Sequence, residues 1–261
     1  MFLGDIIIFN PLILNKKNIW KAQNLNLNII YNDKYILVIN KITNLVVHPG
    51  NKNENNTIFN SLLFYYPYLR DVPRAGIIHR LDKNTTGLMI IAKNMNSYMF
   101  LKKELKKHNI IREYEAIVNG IIKKNGIINY PIKRIYKKNH VYMKIHSLGK
   151  KAITKYFIKN IFRNHTYLRI RLKTGRTHQI RVHLSYIQNS IVGDPVYKQF
   201  KNNYIINKFY KNKINKIIQR QALHACYLKF KHPFYNIDIK LYSKLPNDIN
   251  NLINFLKKDK I

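Results

Sequence analysis

Apolar β-branched and aromatic residues gather in short runs along this chain, each bounded by polar or turn-forming residues. From Leu27 onwards the runs fall at Tyr35 to Asn40, Leu88 to Ala92, Tyr114 to Val118, Ala152 to Ile158 and Tyr167 to Leu172. Their length and composition predict strands. Between some of them the period changes. Ser97 is placed to cap a helix carrying Phe100, Leu101 and Leu105, with basic residues on its other side. A second helix is expected from near Thr177, with Ile180, His183, Leu184 and Ile187 on one face and Arg181 and Ser185 elsewhere on the cylinder. A closing helix is expected over Asp248 to Leu256, where Ile249, Leu252, Ile253 and Leu256 recur at helical spacing. Strands and helices mix without a regular βαβ period, so the expected class is α+β rather than a doubly wound sheet. No internal repeat is visible.

Two stretches break this pattern. Asp5 to Leu14 reads as a short strand and turn, and the polar residues after it, with Lys16, Lys17 and Lys21, read as a linker. Lys198 to Lys216 is rich in Lys, Asn and Tyr with little capping logic, and a mobile, solvated excursion is expected there. The opening MFLGDIIIFNPLIL lacks a basic leading region and is interrupted by Asp5, Asn10 and Pro11, so it reads as structure rather than as a secretory signal. No run approaches the roughly 18 apolar residues that a membrane span requires.

Composition narrows the partner. The chain has 261 residues, 46% of them hydrophobic, enough for a substantial core. Against 47 Lys and Arg stand 12 Asp and Glu, a formal charge of +35. An AT-rich genome accounts for part of the lysine and asparagine enrichment, but not for the scarcity of acids. A polyanion is therefore the expected partner, and nucleic acid fits best because phosphate neutralisation releases counterions. The single cysteine, Cys226, excludes an internal disulfide framework and a cysteine-based zinc site, and a reducing cytoplasm is the expected setting.

Absent motifs prune the chemistry further. The sequence has no GxGxxG after a strand, no GxxxxGK[ST], no HExxH and no GxSxG, so neither a nucleotide cofactor nor a catalytic metal is expected. His178 and His183 lie five apart, a spacing that does not bring both to one helix face for a metal. The densest polar constellation is RAGIIHRLDKNTTGLMIIAK, Arg74 to Lys93, a loop leading into a strand. In it Asp82 stands between Arg80 and Lys83. A lone carboxylate among cations is held ionised and can act as nucleophile or base, although the same pattern also suits a salt bridge or an Asx-turn. A second cluster is LKTGRTHQIRVHLSYI, Leu172 to Ile187, where Gly175 turns the chain and Thr177 is placed to cap a helix. Arg176 and Arg181 there suit an RNA backbone or a buried carboxylate.

HRLDKNTTGLMIIAK resembles the HRLD-x-x-T-[ST]-G-L-L signature of the RluA-type pseudouridine synthases. The likeness continues in the family's order through IREYEAIVNG, GKKAITKYFI, TGRTHQIRVHL, VGDPVY and RQALHACYLKFKHP, covering about Leu27 to Pro246. It implies the pseudouridine synthase fold: a mixed, mainly antiparallel central sheet with flanking helices and a catalytic cleft. ILVINK, LVVHPGN and YYPYLRDVPRAGIIHRLDK are similar to the members that modify helix 69 of 23S ribosomal RNA, so that RNA, or the large-subunit particle, is the implied partner. No membrane and no metal are implied, and a monomer is expected.

Residue by residue, the resemblance makes Asp82 the catalytic aspartate. Tyr114 becomes the ring that stacks on the target base and helps remove its C5 proton, and Arg181 the partner of the catalytic carboxylate. Arg80 is implied to hold RNA and fill the place of the extruded base, and Leu223 to form an apolar wall. His79, Arg176 and His178 complete the expected substrate-binding set. Relatives of this subgroup begin with an S4-type RNA-binding domain, of which GDIIIF from Gly4 resembles the last strand. The expected division is therefore residues 1–24, a remnant of that domain with a linker, and 25–261, the catalytic domain. Two other readings stay open: an RNA-binding or ribosome-assembly factor without catalysis, and an RNA N-glycosidase that releases free uracil.

Overall fold

A computed structural model of the chain describes residues 20–50, 53–137, 140–198 and 208–259. The strand and turn expected at Asp5 to Leu14 lie outside these residues, as does the GDIIIF segment. In chain order the strands are β1 (Ile29–Asn32), β2 (Ile36–Lys41), β3 (Thr86–Ala92), β4 (Ile111–Asn119), β5 (Gly126–Asn129), β6 (Ile132–Lys137), β7 (His140–Ile145), β8 (Ile153–Ile161), β9 (His165–Leu172), β10 (Leu223–Lys231) and β11 (Asp238–Tyr242). The helices are α1 (Ile58–Tyr65), α2 (Met95–Lys106), α3 (Gln179–Tyr186), α4 (Lys208–Ile217) and α5 (Asn247–Lys258). All five strands expected from the apolar runs are present, and the α+β class holds.

Nine strands form one sheet in the order β1-β2-β3-β10-β4-β9-β8-β5, with β11 also paired to β10, while β6 and β7 form a separate two-stranded ribbon. The sheet is mixed and mainly antiparallel. Its parallel contact is between β3 and β10, at Thr86 with His224 and Gly87 with Ala225. Further along the same strand β11 takes over, from Tyr227 to Lys231. The β3–β10 approach depends on Gly87, whose φ is +115° and where a Cβ would stand 2.2 Å from the Ala225 carbonyl oxygen. That closeness brings the loop before β3, which carries Asp82, beside Leu223 at the start of β10.

Strand β3 is buried along its whole length, as its unbroken apolar run GLMIIA predicts, and it joins β2, β4 and β10 in one continuous core. Helix α2 begins at Asn94 rather than Ser97. The Asn94 side chain accepts from the Ser97 N–H at 2.9 Å, leaving Ser97 inside the first turn. Helix α3 also departs from expectation. The capping position belongs to His178, in a left-handed conformation (φ 54°) without a side-chain cap, and not to Thr177. Gln179 organises that turn instead: its side-chain oxygen accepts from the Arg176 N–H and the Thr174 hydroxyl. Arg181 and Ser185 are buried with the rest of Gln179–Ser185, Arg181 beneath the loop that carries Asp82 and against Asp194.

Part of the expected excursion is ordered helix. α4 sets Tyr210, Ile214 and Ile217 on one stripe, an apolar spacing masked by the surrounding Lys and Asn, and Tyr210 meets Phe255 of α5 with ring centroids 5.2 Å apart. Residues 199–207 lie outside the described residues. At the other end, Trp20 packs edge-on against Phe59, and the Asn60 side chain donates to the Lys21 carbonyl, so residues 20–25 lie along α1. Among the described residues no helix is long and apolar enough to cross a membrane.

Candidate active site

A cleft of about 800 Å³ opens where the loop before β3, the strands β4 and β10 and the start of α3 meet. Asp82 stands in that loop. The loop is a turn closed by the Thr85 N–H on the Asp82 carbonyl, 3.0 Å, and three side chains fasten it from outside. Lys41 Nζ donates to the Lys83 carbonyl at 2.8 Å, Arg220 Nη1 to the Asn84 carbonyl at 3.0 Å, and Gln221 Nε2 to the Thr85 hydroxyl at 3.1 Å. Lys41 also donates to the carbonyls of Ile42 and Leu45. Three acceptors can take all three ammonium hydrogens, which favours the cation against the burial that pulls the Lys41 pKa down to about 7. Arg220 in turn forms a two-pronged pair with Asp248, which ties the loop to α5.

The Asp82 carboxylate meets a guanidinium that is already aimed. Arg181 Nη1 donates to Asp82 Oδ2 at 2.9 Å, while its Nε and Nη2 grip Asp194 at 2.7 and 2.9 Å. Asp194 is fixed by the backbone N–H groups of Val196 and Tyr197. The clamp is buried, with Arg181 and Asp194 side chains 5% and 1% exposed, whereas Asp82 keeps 17% of its side chain open to the cleft. Arg181 thus holds Asp82 from behind, and its own pKa is driven further up by the two carboxylates in spite of burial.

His178 completes the carboxylate's surroundings, with Nε2 3.9 Å from Asp82 Oδ1. Its Nδ1 is 2.9 Å from the Tyr197 hydroxyl, which accepts the Met143 N–H from the β6–β7 ribbon. With that N–H already on the phenol oxygen, the arrangement that uses every buried hydrogen has Tyr197 donate to Nδ1. The imidazole hydrogen then lies on Nε2, facing Asp82. Burial lowers the His178 pKa, in keeping with a neutral ring.

Strand β4 supplies the floor. Its alternation places Arg112 and Tyr114 toward the cleft and Glu113 and Glu115 on the opposite face. There the two glutamates pair with Arg169, Arg171 and Lys159. Tyr114 is buried, and burial raises its pKa to about 12, with Arg112 pulling it down and Asp82 pushing it up. It is therefore a neutral phenol at physiological pH. Leu223, on the first residue of β10, forms the adjoining apolar wall.

All eight residues expected at the site line this one cleft: Asp82, Tyr114, Arg181, Arg80, His79, Arg176, His178 and Leu223. They do not face it in the same way. Arg80 and Arg176 are exposed at the rim, joined by Lys102, Lys103 and Lys106 from α2, which gives the mouth a strong positive charge. His79 is buried, and its Nε2 accepts the Ile90 N–H of β3. Reading the sequence did not single out Asp194, Tyr197, Arg112, Lys41 or Arg220. Asp194 had a signal, as one of few acids in a strongly basic chain, inside VGDPVY. Arg112 had another, standing two positions before Tyr114 on an alternating strand. Lys41 and Arg220 had none, because each holds the loop through a backbone carbonyl distant in sequence, Lys83 and Asn84.

The sequence profile of the RNA pseudouridylate synthase family matches residues 35–186, a stretch that includes Asp82, Tyr114 and Arg181. The chain belongs to this family of isomerases. It is 44% identical over 247 residues to ribosomal large subunit pseudouridine synthase D of Haemophilus influenzae, covering 92% of this chain and 74% of that protein. It is 49% identical over 235 residues to the protein of the same name from Buchnera aphidicola of Acyrthosiphon pisum, covering 88% and 74%. Among solved structures, human RNA pseudouridylate synthase domain containing 4 superposes with a TM-score of 0.66 at 22% identity, covering 88% of this chain and 93% of that one, a likeness of fold.

Proposed function

We propose that this enzyme converts uridine to pseudouridine in the large-subunit ribosomal RNA, within the helix 69 stem-loop of 23S RNA, without a cofactor. The observation that carries the reading is the Asp82 carboxylate, held by Arg181 in a cleft that also presents Tyr114. The names of the relatives support the substrate. The rim cations attract the RNA backbone. The target base leaves its stack at a cost of a few kcal/mol, and Arg80 fills the vacated space. Stacking on Tyr114 returns about 1 to 3 kcal/mol of that cost, and Leu223 closes the other side.

Asp82 then acts at the ribose. It breaks the N1–C1′ bond either by attack on C1′ or by taking the C2′ proton, while Arg181 keeps it ionised and aimed. The freed uracil turns, C5 joins C1′, and the C5 proton leaves. Tyr114, a phenol at neutral pH, relays that proton, its oxygen taking it as its own hydrogen passes to solvent, and N1 takes up a proton in exchange. No redox step or external energy enters. The test is carbodiimide mapping of pseudouridine in large-subunit RNA and particles, with and without the protein. New signals confined to the helix 69 loop are expected. RNA that stays unmodified, or that releases free uracil, would overturn the reading.

A further inference from the structure

The cleft holds one buried cation that no described residue answers. Arg112 is 7% exposed and lines the cleft, yet among the described residues its guanidinium has no carboxylate partner and no hydrogen-bond acceptor. Other buried arginines here are treated differently: Arg181 and Arg220 each grip an aspartate with two prongs. Glu113, next to Arg112 in sequence, points to the far face of β4 and is taken by Arg169 and Arg171. The groups around Arg112 add no negative charge. Tyr114 is a neutral phenol, and His79, whose pKa burial lowers to about 3, is a neutral imidazole.

The neighbourhood is short of acceptors. His79 Nε2 accepts from Ile90, which leaves the ring hydrogen on Nδ1, and that atom and Arg112 Nε are both buried and unmet. The Arg112 Nη1 end lies under Gly175, where a Cβ would come within 2.8 Å of it. An unpaired buried cation is destabilising in the free protein. It is retained where a ligand brings the missing negative oxygen.

We infer that Arg112 is a further catalytic residue, whose guanidinium meets a carbonyl oxygen of the target uracil and stabilises the charge that base acquires when the N1–C1′ bond breaks. This rests on the reading under Proposed function. The electron pair of the broken bond stays with the base and spreads onto its two carbonyl oxygens. C1′ is satisfied by an Asp82 oxygen or by loss of the C2′ proton to Asp82. Formation of the C5–C1′ bond uses that pair as the Asp82–C1′ bond breaks back to the carboxylate, or as Asp82 returns its proton to C2′; C5 then loses its proton and N1 takes one. Arg112 shares the cleft face of β4 with Tyr114, so a base stacked on the phenol lies one pleat repeat, roughly 7 Å, along the strand from Arg112. A phosphate stays at the rim, where Arg80, Arg176 and the α2 lysines are exposed. A fixed donor aimed at charge that develops in the reaction contributes mainly to the rate.

The test compares wild type, Arg112→Met and Arg112→Lys on a helix 69 stem-loop or large-subunit RNA. It measures single-turnover rate, RNA affinity as a function of salt, and thermal midpoint. Arg112→Met is expected to melt at or above the wild-type temperature and to bind RNA within about threefold, with a rate lower by roughly 10²- to 10³-fold. Arg112→Lys should recover part of the rate. RNA carrying 5-fluorouridine, whose base is a better leaving group but has no C5 proton to lose, is followed by the rate at which its N1-linked nucleoside disappears, and should shrink the Met variant's deficit at least about tenfold. A lower melting temperature would make Arg112 structural. Weaker binding with a shallower salt dependence at an unchanged rate would make it a phosphate contact, and an equal deficit on both substrates would exclude leaving-group stabilisation. If wild type isomerises and Arg112→Met keeps pace within threefold, this inference alone fails. A wild type without activity would instead remove the reading beneath it.

Discussion

Replacing Arg181 with Met separates the clamp's contribution to stability from its contribution to chemistry. Three guanidinium nitrogens are in use: Nε and Nη2 on Asp194, and Nη1 on Asp82. Removal leaves Asp194, almost wholly buried, as an anion with only two backbone N–H groups for company. Breaking a buried pair in this way costs about 3 to 5 kcal/mol. At roughly 2 to 4 °C per kcal/mol for a chain of this size, the melting temperature should fall by about 6 to 20 °C. Adding Asp194→Asn removes the stranded charge while its amide oxygen still accepts from Val196 and Tyr197, so at least about 2 kcal/mol should return. Isomerisation should not return. With Asp82 no longer aimed, both variants should be at least about 10²-fold slower than wild type in single turnover on substrate RNA. Denaturation curves supply the stabilities, and the folded fraction corrects the rates. A double variant that recovers both stability and activity would refute the claim that Arg181 works by holding Asp82.

Acid should unfold the protein through its buried histidines. His79, His165 and His224 are buried, and desolvation lowers their pKa values to about 3, 4 and 4. Below pH 6.5 the unfolded chain takes up protons that the folded one refuses, so stability is full above 6.5 and declines as pH falls toward 4. The loss is roughly 2 kcal/mol per ring at pH 5, read from urea midpoints across that range. A flat profile would contradict the assignment of neutral buried rings. Gly87→Ala should lower stability by roughly 3 kcal/mol or more, because a Cβ at φ +115° would meet the Ala225 carbonyl, and hydrogen exchange should show β3 loosening from β10. Tyr114→Phe should keep RNA affinity and lose rate, whereas Tyr114→Ala should also lose about 1 to 3 kcal/mol of binding to a stem-loop whose base is already unpaired. Equal binding by the two variants would remove the stacking role.

The strands were legible because each buries a run of apolar residues, and β3 and β9 fall within two residues of their expected limits. Burial of a continuous face leaves a mark in the sequence. The helix starts were misplaced because more than one polar residue stood near each end: Asn94 outcompeted Ser97, and Gln179 made a cap at Thr177 unnecessary. Helix α4 was hidden by composition, since its Lys and Asn residues dilute an apolar stripe that becomes visible only against α5. At the site, the eight residues that meet at one cleft were legible because the motifs carrying them resemble a known family. The supports of that cleft were not legible. Lys41 and Arg220 act on backbone carbonyls, whose position depends on the fold and not on side-chain identity. Asp194 needed the turn after α3 to bring it under Arg181.

In the proposed reaction the Asp82 carboxylate, on the loop before β3, acts on the ribose of an everted uridine. The most direct test is pseudouridine formation by purified Asp82→Asn on helix 69 RNA, after filter binding has established that the variant still takes up the RNA with wild-type affinity. No pseudouridine above the no-enzyme background is expected from the variant while wild type completes its turnover. Modification by Asp82→Asn at a rate within tenfold of wild type would contradict that role of Asp82.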